Sequence, residues 1–433
     1  MKAFLQEWCR CKVAVLLLLV VALAGSCSWA QVPISFERQR MKQILMEVKH
    51  DIDKNFYDPS LKGLNWPELV NQARERIEKA NNVSQMLTAI FVLVDKLHDS
   101  HTKFLPPQRV DKVRFGFEAK AFGDEIRIYE LKKEGAAAAA GLQLGDRILS
   151  VNGFNADRQS FDLMMLYFRA LRPVTAMEMD IQRGNGPVQK IHVPAKVIPG
   201  KLLTDLTTGT DLWELIREIE ADAKEEYPYH KGEDGIGYMR LPSFGIDEGF
   251  FSRLFGKVKD SKAIIVDLRG NLGGRVDTLT WAGGYFTRDD TVIGDVVRRD
   301  KTEPMKIKPH NDAFRGPMFV LVDSESSSAA EIFARHFQRA GRAKVIGDRT
   351  SGRVTVARFF PHRSGQDTVI FYGVQIGVGR LILPGGEELE GRGVVPDIYC
   401  VPSGEELRGK HDRCRTLAHF QARLALGLPE KPR

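Results

Sequence analysis

The sequence has few of the residues that common metal sites need. Five cysteines are spread over 433 residues without a pair of Cys-x-x-Cys motifs, and no His-Glu-x-x-His motif occurs. Structural zinc sites and the common zinc peptidases depend on those ligand spacings. We therefore expect no metal ion and no other cofactor in this protein.

Clusters of one charge are also missing. Lys and Arg total 63 against 56 Asp and Glu, which gives a net charge of +7 without any basic run. A nucleic-acid site is normally a dense basic patch, so we expect no nucleic-acid partner. Apolar residues make up 43% and charged residues 27% of the chain, as in ordinary globular proteins. The length corresponds to roughly three domains.

The chain begins with the pattern of a secretory signal peptide. A basic start is followed by the apolar run Val13–Gly25 and then by small residues that end at Ala30. Crossing a membrane takes about 20 apolar residues, more than this run supplies. We expect cleavage after Ala30 and export to the periplasm or the extracellular space. The alternative is lipid attachment at Cys27, which would tether the protein to a membrane.

Two cysteines, Cys400 and Cys414, remain once a leader of residues 1–30 is removed. In an oxidising compartment, thiols this close in sequence are candidates for pairing, and we expect a disulfide here. The alternative is two separate thiols that pack as small apolar side chains.

Apolar periodicity divides the rest of the chain into three parts. Residues 31–110 have helical spacing and end near paired prolines, which stop a helix. Residues 111–199 alternate as short strands do. In residues 200–433 buried strands lead into helices. This pattern predicts an α/β core, preceded by a helix around Asp211 to Glu225.

The second part contains the sequence Gly141-Leu142-Gln143-Leu144-Gly145-Asp146-Arg147-Ile148-Leu149-Ser150-Val151-Asn152-Gly153. This signature resembles that of PDZ domains, and an ordinary β-hairpin would not explain it. The resemblance implies that the backbone of Phe115, Gly116 and Phe117 binds the terminal carboxylate of a peptide, whose chain pairs with the adjacent strand edge. Arg114 stands at the first position of this loop, where relatives often have glycine.

In the third part, Ser328 follows the apolar strand Met318–Val322 and precedes a helix. The free N–H groups and the dipole of a helix N-terminus stabilise a developing oxyanion. A serine at this point therefore suits nucleophilic catalysis. The alternative is a helix cap, a role that Ser326 or Ser327 would also fill.

Four motifs follow the PDZ-like part, in the order Asp267-Leu268-Arg269-x-Asn271-x-Gly273-Gly274, Ser328-Ala329-Ala330-Glu331-Ile332-Phe333, Gly341-Arg342-Ala343-Lys344-Val345-Ile346-Gly347 and Gly391-Arg392-Gly393-Val394-Val395-Pro396-Asp397. Together they resemble the C-terminal processing, or tail-specific, serine peptidases. The resemblance implies an α/β fold, with a crotonase-like ββα spiral protease core, an inserted PDZ-like domain and an N-terminal helical domain. It also implies that Ser328 is the nucleophile and that the N–H groups of Gly274 and Ala329 stabilise the oxyanion.

One position departs from the best-known members of this family. They use a Ser–Lys dyad with the lysine in a Thr-x-Gly-Lys motif, and this chain has Arg353 at the lysine position. A guanidinium stays protonated in proteins. Arg353 therefore cannot accept a proton from a serine hydroxyl.

The tricorn-like branch of the family implies a different base. Its members use a Ser-His-Ser-Glu set whose Ser-His pair stands just before the PDZ-like domain, where this chain has Ser100 and His101. The resemblance implies that His101, with a pKa near 6.5, accepts the Ser328 proton and that Glu390 orients the imidazole. Alternatives for the carboxylate and for the histidine are Glu387, Glu388 and His98.

The sequence therefore predicts an exported serine endopeptidase that cleaves protein or peptide substrates engaged through their C-termini at the PDZ-like domain. The rival interpretation is an inactive peptide- or ligand-binding protein that keeps the fold, and Arg353 favours it. A third interpretation is a PDZ scaffold without a nucleophile.

Overall fold

The computed structural model of the protein describes residues 33–107, 111–171, 173–199, 227–365, 369–409 and 411–429. The expected leader, with Cys27, and the helix expected around Asp211 to Glu225 lie outside these residues. Across the described ranges, every helix is too short or too polar to cross a membrane.

The helices are α1 (Ile34–Asn55), α2 (Trp66–Lys79), α3 (Val83–Asp95), α4 (Ala136–Ala139), α5 (Phe161–Leu166), α6 (Glu248–Gly256), α7 (Val276–Gly283), α8 (Ala329–Arg339), α9 (Gly404–Gly409) and α10 (Arg413–Ala425). The strands are β1 (Lys103–Leu105), β2 (Asp111–Arg114), β3 (Phe117–Phe122), β4 (Glu125–Leu131), β5 (Arg147–Val151), β6 (Phe154–Asn155), β7 (Ala176–Gln182), β8 (Val188–Pro194), β9 (Lys196–Pro199), β10 (Tyr229–Lys231), β11 (Ile236–Arg240), β12 (Ala263–Asp267), β13 (Thr291–Val297), β14 (Thr302–Ile307), β15 (Met318–Val322), β16 (Ala343–Gly347), β17 (Val356–Ser364), β18 (Ile370–Ile382) and β19 (Ile398–Tyr399).

The N-terminal helices share their hydrophobic core with the long strand β18. Helices α1 to α3 bury one apolar face each, and the same cluster includes Tyr372, Val374 and Ile376 of β18. Strand β1 pairs antiparallel with β18, with Phe104 opposite Val374. Because β1 begins two residues after His101, this pairing fixes the end of the helical part to the rest of the protein.

The PDZ-like part is built around a sheet of strand order β3-β4-β5-β7-β8, with β6 paired to β5. Its own hydrophobic cluster includes Phe115, Phe117 and Phe161. Strand β3 lies at the edge of this sheet. Its backbone is therefore available on one side to another strand.

The α/β core contains a sheet of order β10-β11-β12-β15-β16-β19, in which the strands from β11 to β19 run parallel. Strands β12 and β15 are buried along their whole length. They lie side by side, with Asp267 opposite Leu321. Because β12 and β15 are parallel, the loops that follow them meet at the same edge of the sheet. Ligand sites of parallel sheets form at this edge, beyond the carboxyl ends of the strands.

The disulfide expected between Cys400 and Cys414 is present, with the two Cα atoms 5.6 Å apart. Cys400 follows β19, and Cys414 lies in the first turn of α10. Both belong to the cluster in which α10 covers the outer face of the parallel sheet, with Ala418 and Ala422. The bond holds the C-terminal helix against the core.

We expect the double variant Cys400→Ser/Cys414→Ser to unfold more easily by about 3 kcal/mol, because a cross-link over a loop of this length restricts the unfolded chain. Urea unfolding of the exported protein measures this difference. Wild-type protein in reductant is the control and should show the same loss. Two freely alkylatable thiols in unreduced protein would contradict the prediction.

Candidate active site

Ser328 has a backbone conformation that is uncommon for a residue with a side chain. Its φ is +54° and its ψ is −118° at the N-cap of α8. Two acceptors hold its N–H: the carbonyl oxygen of Arg353 at 2.7 Å and a carboxylate oxygen of Glu331 at 3.1 Å. Positive φ is unfavourable without such support. The side chain of Ser328 is partly exposed at the strand-to-helix turn.

Glu331, which the sequence analysis did not assign to the site, is fully buried behind this serine. Its carboxylate accepts hydrogen bonds from the N–H groups of Gly352 (2.7 Å) and Arg353 (2.8 Å) and from the hydroxyl of Thr350. Burial raises the pKa of the Glu331 carboxyl, and these hydrogen bonds oppose the rise. A Ser-x-x-Glu pattern before an apolar helix was the available signal, since it is typical of a capping box.

The glycine that contacts Ser328 is Gly273. A Cβ on Gly273 would lie 2.6 Å from the Cβ of Ser328 and 3.1 Å from the N atom of Ala329. The φ of Gly273 is +98°, a region that favours glycine. Both the close approach and the conformation therefore require glycine at this position.

Gly274 instead pairs with Phe244 in a parallel bridge. Phe244 donates its N–H to the carbonyl oxygen of Gly273 (2.7 Å) and accepts from the N–H of Arg275 (3.2 Å). The N–H of Gly274 takes no part in these two bonds, and in a strand it points to the opposite side from its neighbours. It is therefore directed away from Phe244.

Ser100 and His101 lie in the turn between α3 and β1. The hydroxyl of Ser100 is 2.9 Å from Nδ1 of His101, and the N–H of Ser100 donates to Glu390 at 3.1 Å. The other oxygen of Glu390 accepts from the N–H groups of Val354 (2.8 Å) and Thr355 (3.3 Å). Glu390 thus connects the Ser100–His101 turn to the loop whose Arg353 carbonyl holds Ser328.

The structure places the alternative residues elsewhere. Glu387 forms an ion pair with Arg335 at 2.9 Å, and Glu388 lies 3.5 Å from Arg380. His98 is exposed at the surface. Of the three glutamates, Glu390 is the one that contacts the Ser100–His101 turn.

The electrostatics of the site differ from the expectation of an ordinary histidine. Burial lowers the pKa of His101 well below its usual value of about 6.5, and the positive charges of Lys103 and Arg353 lower it further, while Glu390 opposes them. Burial alone would raise the pKa of the Glu390 carboxyl. Hydrogen bonds from Val354 and from the hydroxyl and N–H of Ser100 hold it below its usual value. The imidazole is thus kept neutral and the carboxylate charged.

Arg353 uses its backbone and its side chain for different contacts. Its carbonyl oxygen accepts from Ser328, whereas its guanidinium donates to Asp162 of α5 at 2.8 Å. The side chain is therefore directed toward the PDZ-like part.

The PDZ-like part contacts the loop that carries Ser328. Lys120 of β3 forms ion pairs with Asp323 (2.7 Å) and Glu325 (2.6 Å). The hydroxyl of Ser324 donates to the carbonyl oxygen of Ala121. The far end of the edge strand β3 therefore abuts the loop that carries Ser328.

At the near end of β3, the loop expected to bind a carboxylate is largely buried. Phe115 and Phe117 are 2% and 3% exposed as whole residues, so both belong to the core. Gly116 between them has a φ of +82°. Such a turn allows successive N–H groups to face one side.

A serine of positive φ at a strand-to-helix turn, linked through one loop to a carboxylate and a histidine, is the kind of arrangement that serine hydrolases use. Residues 235–400 match the model of Peptidase family S41, and residues 108–168 match that of the PDZ domain. The chain is 24% identical over 347 residues to carboxyl-terminal-processing peptidase 1, chloroplastic, of Arabidopsis thaliana, which covers 75% of this chain and 64% of that protein. It is also 24% identical over 344 residues to the carboxy-terminal processing protease CtpB of Bacillus subtilis, with 75% and 65% covered.

The chain thus has one region similar to peptidase family S41 and, before it, one similar to the PDZ domain. It spans slightly less than two thirds of the length of the two relatives named above. Among solved structures, that of mature CPAF superposes with a TM-score of 0.67 at 14% identity, over 90% of this chain and 98% of that one. The fold class expected from the sequence is therefore confirmed.

We expect Gly273→Ala to reduce the reaction of Ser328 with a fluorophosphonate probe by about a hundredfold or more, because the new Cβ would displace the nucleophile. The matched control is Gly341→Ala. Gly341 also has positive φ, at +61°, but open space around its Cβ position, so it should lose only about 1 kcal/mol of stability. Equal labelling of both variants would contradict the role of close approach.

Proposed function

We propose that this protein is an exported serine endopeptidase with Ser328 as nucleophile and His101 as general base. One observation carries the proposal: the loop whose Arg353 carbonyl accepts from the Ser328 N–H also donates, from Val354, to Glu390, and Glu390 accepts from Ser100 beside His101. The disulfide between Cys400 and Cys414 supports export, because such bonds persist in oxidising compartments.

In the proposed reaction, Nε2 of His101 accepts the proton of the Ser328 hydroxyl while the oxygen attacks the scissile carbonyl carbon. The resulting oxyanion accepts hydrogen bonds from the N–H groups of Gly274 and Ala329. Ala329 is the first residue of α8, where an N–H has no partner within the helix. His101 then gives the proton to the leaving amine, and an acyl-enzyme remains, which water hydrolyses by the same steps.

Ser100 and Glu390 act on the imidazole in this proposal. The Ser100 hydroxyl donates to the charged carboxylate of Glu390, so its oxygen accepts from the Nδ1–H of His101. This arrangement leaves Nε2 without a proton and ready to act as a base. It performs the task that the aspartate performs in a Ser-His-Asp triad.

The proposed substrates are protein chains held by their C-termini in the PDZ domain. The backbone around Gly116 would bind the terminal carboxylate, and the edge of β3 would pair with the preceding residues. The contact between Ala121 and Ser324 supports this proposal, because it places the far end of β3 beside the nucleophile loop. A chain bound along β3 would therefore approach Ser328.

We expect Ser328→Ala and His101→Ala each to reduce peptidase activity by about 10³-fold or more, since each removes a reacting group. Arg353→Ala should retain activity within about tenfold, because its backbone carbonyl remains and the guanidinium does not accept protons. Glu390→Gln should reduce peptidase activity less than His101→Ala does. Digestion of an unfolded protein and fluorophosphonate labelling measure these effects. Absence of labelling in the wild type would favour the inactive binding protein instead.

The lowered pKa of His101 determines the expected pH profile. The neutral imidazole is the base, so activity rises as pH increases through this pKa, and the acidic limb should lie below about pH 6.5. Lys103→Gln removes a positive charge that lowers the pKa of His101, so the acidic limb should move to higher pH. Glu390→Gln removes a negative charge that raises the pKa of His101, so the acidic limb should move to lower pH. The labelling rate of Ser328 between about pH 4 and pH 9 tests both shifts, and shifts in one common direction would contradict the assignment.

A further inference from the structure

The turn that carries His101 is organised around the buried side chain of Asp99. Asp99 is 8% exposed, and one of its oxygens accepts from the His101 N–H (3.2 Å) and from the hydroxyl of Thr102 (2.7 Å). Burial raises the pKa of the Asp99 carboxyl, as does the nearby charge of Glu390. The turn is neither helix nor strand, so these contacts take the place of a regular hydrogen-bond ladder.

The second oxygen of Asp99 reaches a distant segment. It accepts from the hydroxyl of Thr355 at 3.1 Å, and Thr355 is 3% exposed. The N–H of Thr355 donates to Glu390. One threonine thus contacts both carboxylates that flank the Ser100–His101 pair. It lies two residues after Arg353, whose carbonyl holds the nucleophile.

Strand β18 closes the space behind the contact between Asp99 and Thr355. The N–H of Gly377 donates to the Thr102 hydroxyl at 2.9 Å. A Cβ on Gly377 would lie 2.6 Å from the Thr355 methyl group and 2.7 Å from the Asp99 carboxylate. The Asp99–Thr102 turn and the loop at Thr355 therefore pack against the same strand, β18, and leave no room for a side chain at Gly377.

We propose that Asp99 and Thr355 are positioning residues of the active site, whose mutual hydrogen bond fixes the His101 turn to the loop that holds Ser328. Neither touches the substrate in this proposal. The inference rests on the proposed roles of His101 and Ser328. Its physical basis is that a displacement of about 1 Å between base and nucleophile costs about a hundredfold in rate.

The test compares Thr355→Val with Thr355→Ser in the full-length exported protein. Valine keeps the shape of the side chain and removes the hydroxyl, whereas serine keeps the hydroxyl. We expect Thr355→Val to lower the maximal rate of fluorophosphonate labelling about a hundredfold, with the half-saturating probe concentration within about threefold. Thr355→Ser should restore the rate to within about threefold of wild type.

A matched control is Thr88→Val, which removes a hydroxyl that donates to the Ser84 carbonyl within α3. It should label like wild type. The inference is overturned if Thr355→Val labels at the wild-type rate, if Thr355→Ser is as slow as Thr355→Val, or if Thr88→Val is equally slow. A wild type that is not labelled at all overturns the proposed function and this inference together.

Asp99 provides a second test that does not depend on the folding of Thr355→Val. Asparagine at this position can still accept from His101 and Thr102, and its amide can donate to the Thr355 oxygen. We expect Asp99→Asn to label within about tenfold of wild type and Asp99→Ala about a hundredfold more slowly. The inference that Asp99 acts through hydrogen bonds is overturned if Asp99→Ala is labelled at the wild-type rate. It is also overturned if Asp99→Asn is labelled as slowly as Asp99→Ala.

Discussion

The geometry of the site depends on one buried carboxylate, that of Glu331. It accepts hydrogen bonds from the Ser328 N–H and from the N–H groups of Gly352 and Arg353. A buried N–H left without an acceptor costs about 1 to 3 kcal/mol, and the bond from Gly352 is fully buried, so the carboxylate constrains where the backbone of this loop can lie. Because the loop continues into Val354 and Thr355, the same constraint places the donors that bind Glu390.

Arg353 contributes to this geometry through its backbone. Its carbonyl oxygen accepts from the Ser328 N–H, a contact that any residue would supply. Its side chain pairs instead with Asp162 of the PDZ-like part. In the proposed function the proton acceptor therefore comes from another segment, the Ser100–His101 turn, which is tied to the same loop through Glu390.

The sequence was sufficient for the parts of the molecule that short motifs determine. The strand Met318–Val322, the helix after Ser328, the pairing of Cys400 with Cys414, and the juxtaposition of Ser100, His101 and Glu390 all appear in the structure. The junction between Asp99 and Thr355 was not predictable, because these residues are 256 positions apart and neither belongs to a periodic pattern. The lowered pKa of His101 depends mainly on burial, which follows from packing that no local motif describes.

The PDZ-like part lies between His101 and Ser328 in the chain, and several of its ion pairs are made with the loops around Ser328. Lys120 binds Asp323 and Glu325, Asp162 binds Arg353, and Arg158 binds Asp348 at 2.9 Å. All of these partners lie in the loops that follow β15 and β16. His101 is held to the long strand through β1 and its pairing with β18, and its turn is held to the Ser328 loop through Glu390. The PDZ-like part and the Ser100–His101 turn therefore meet at the same loop, which carries both Arg353 and Val354.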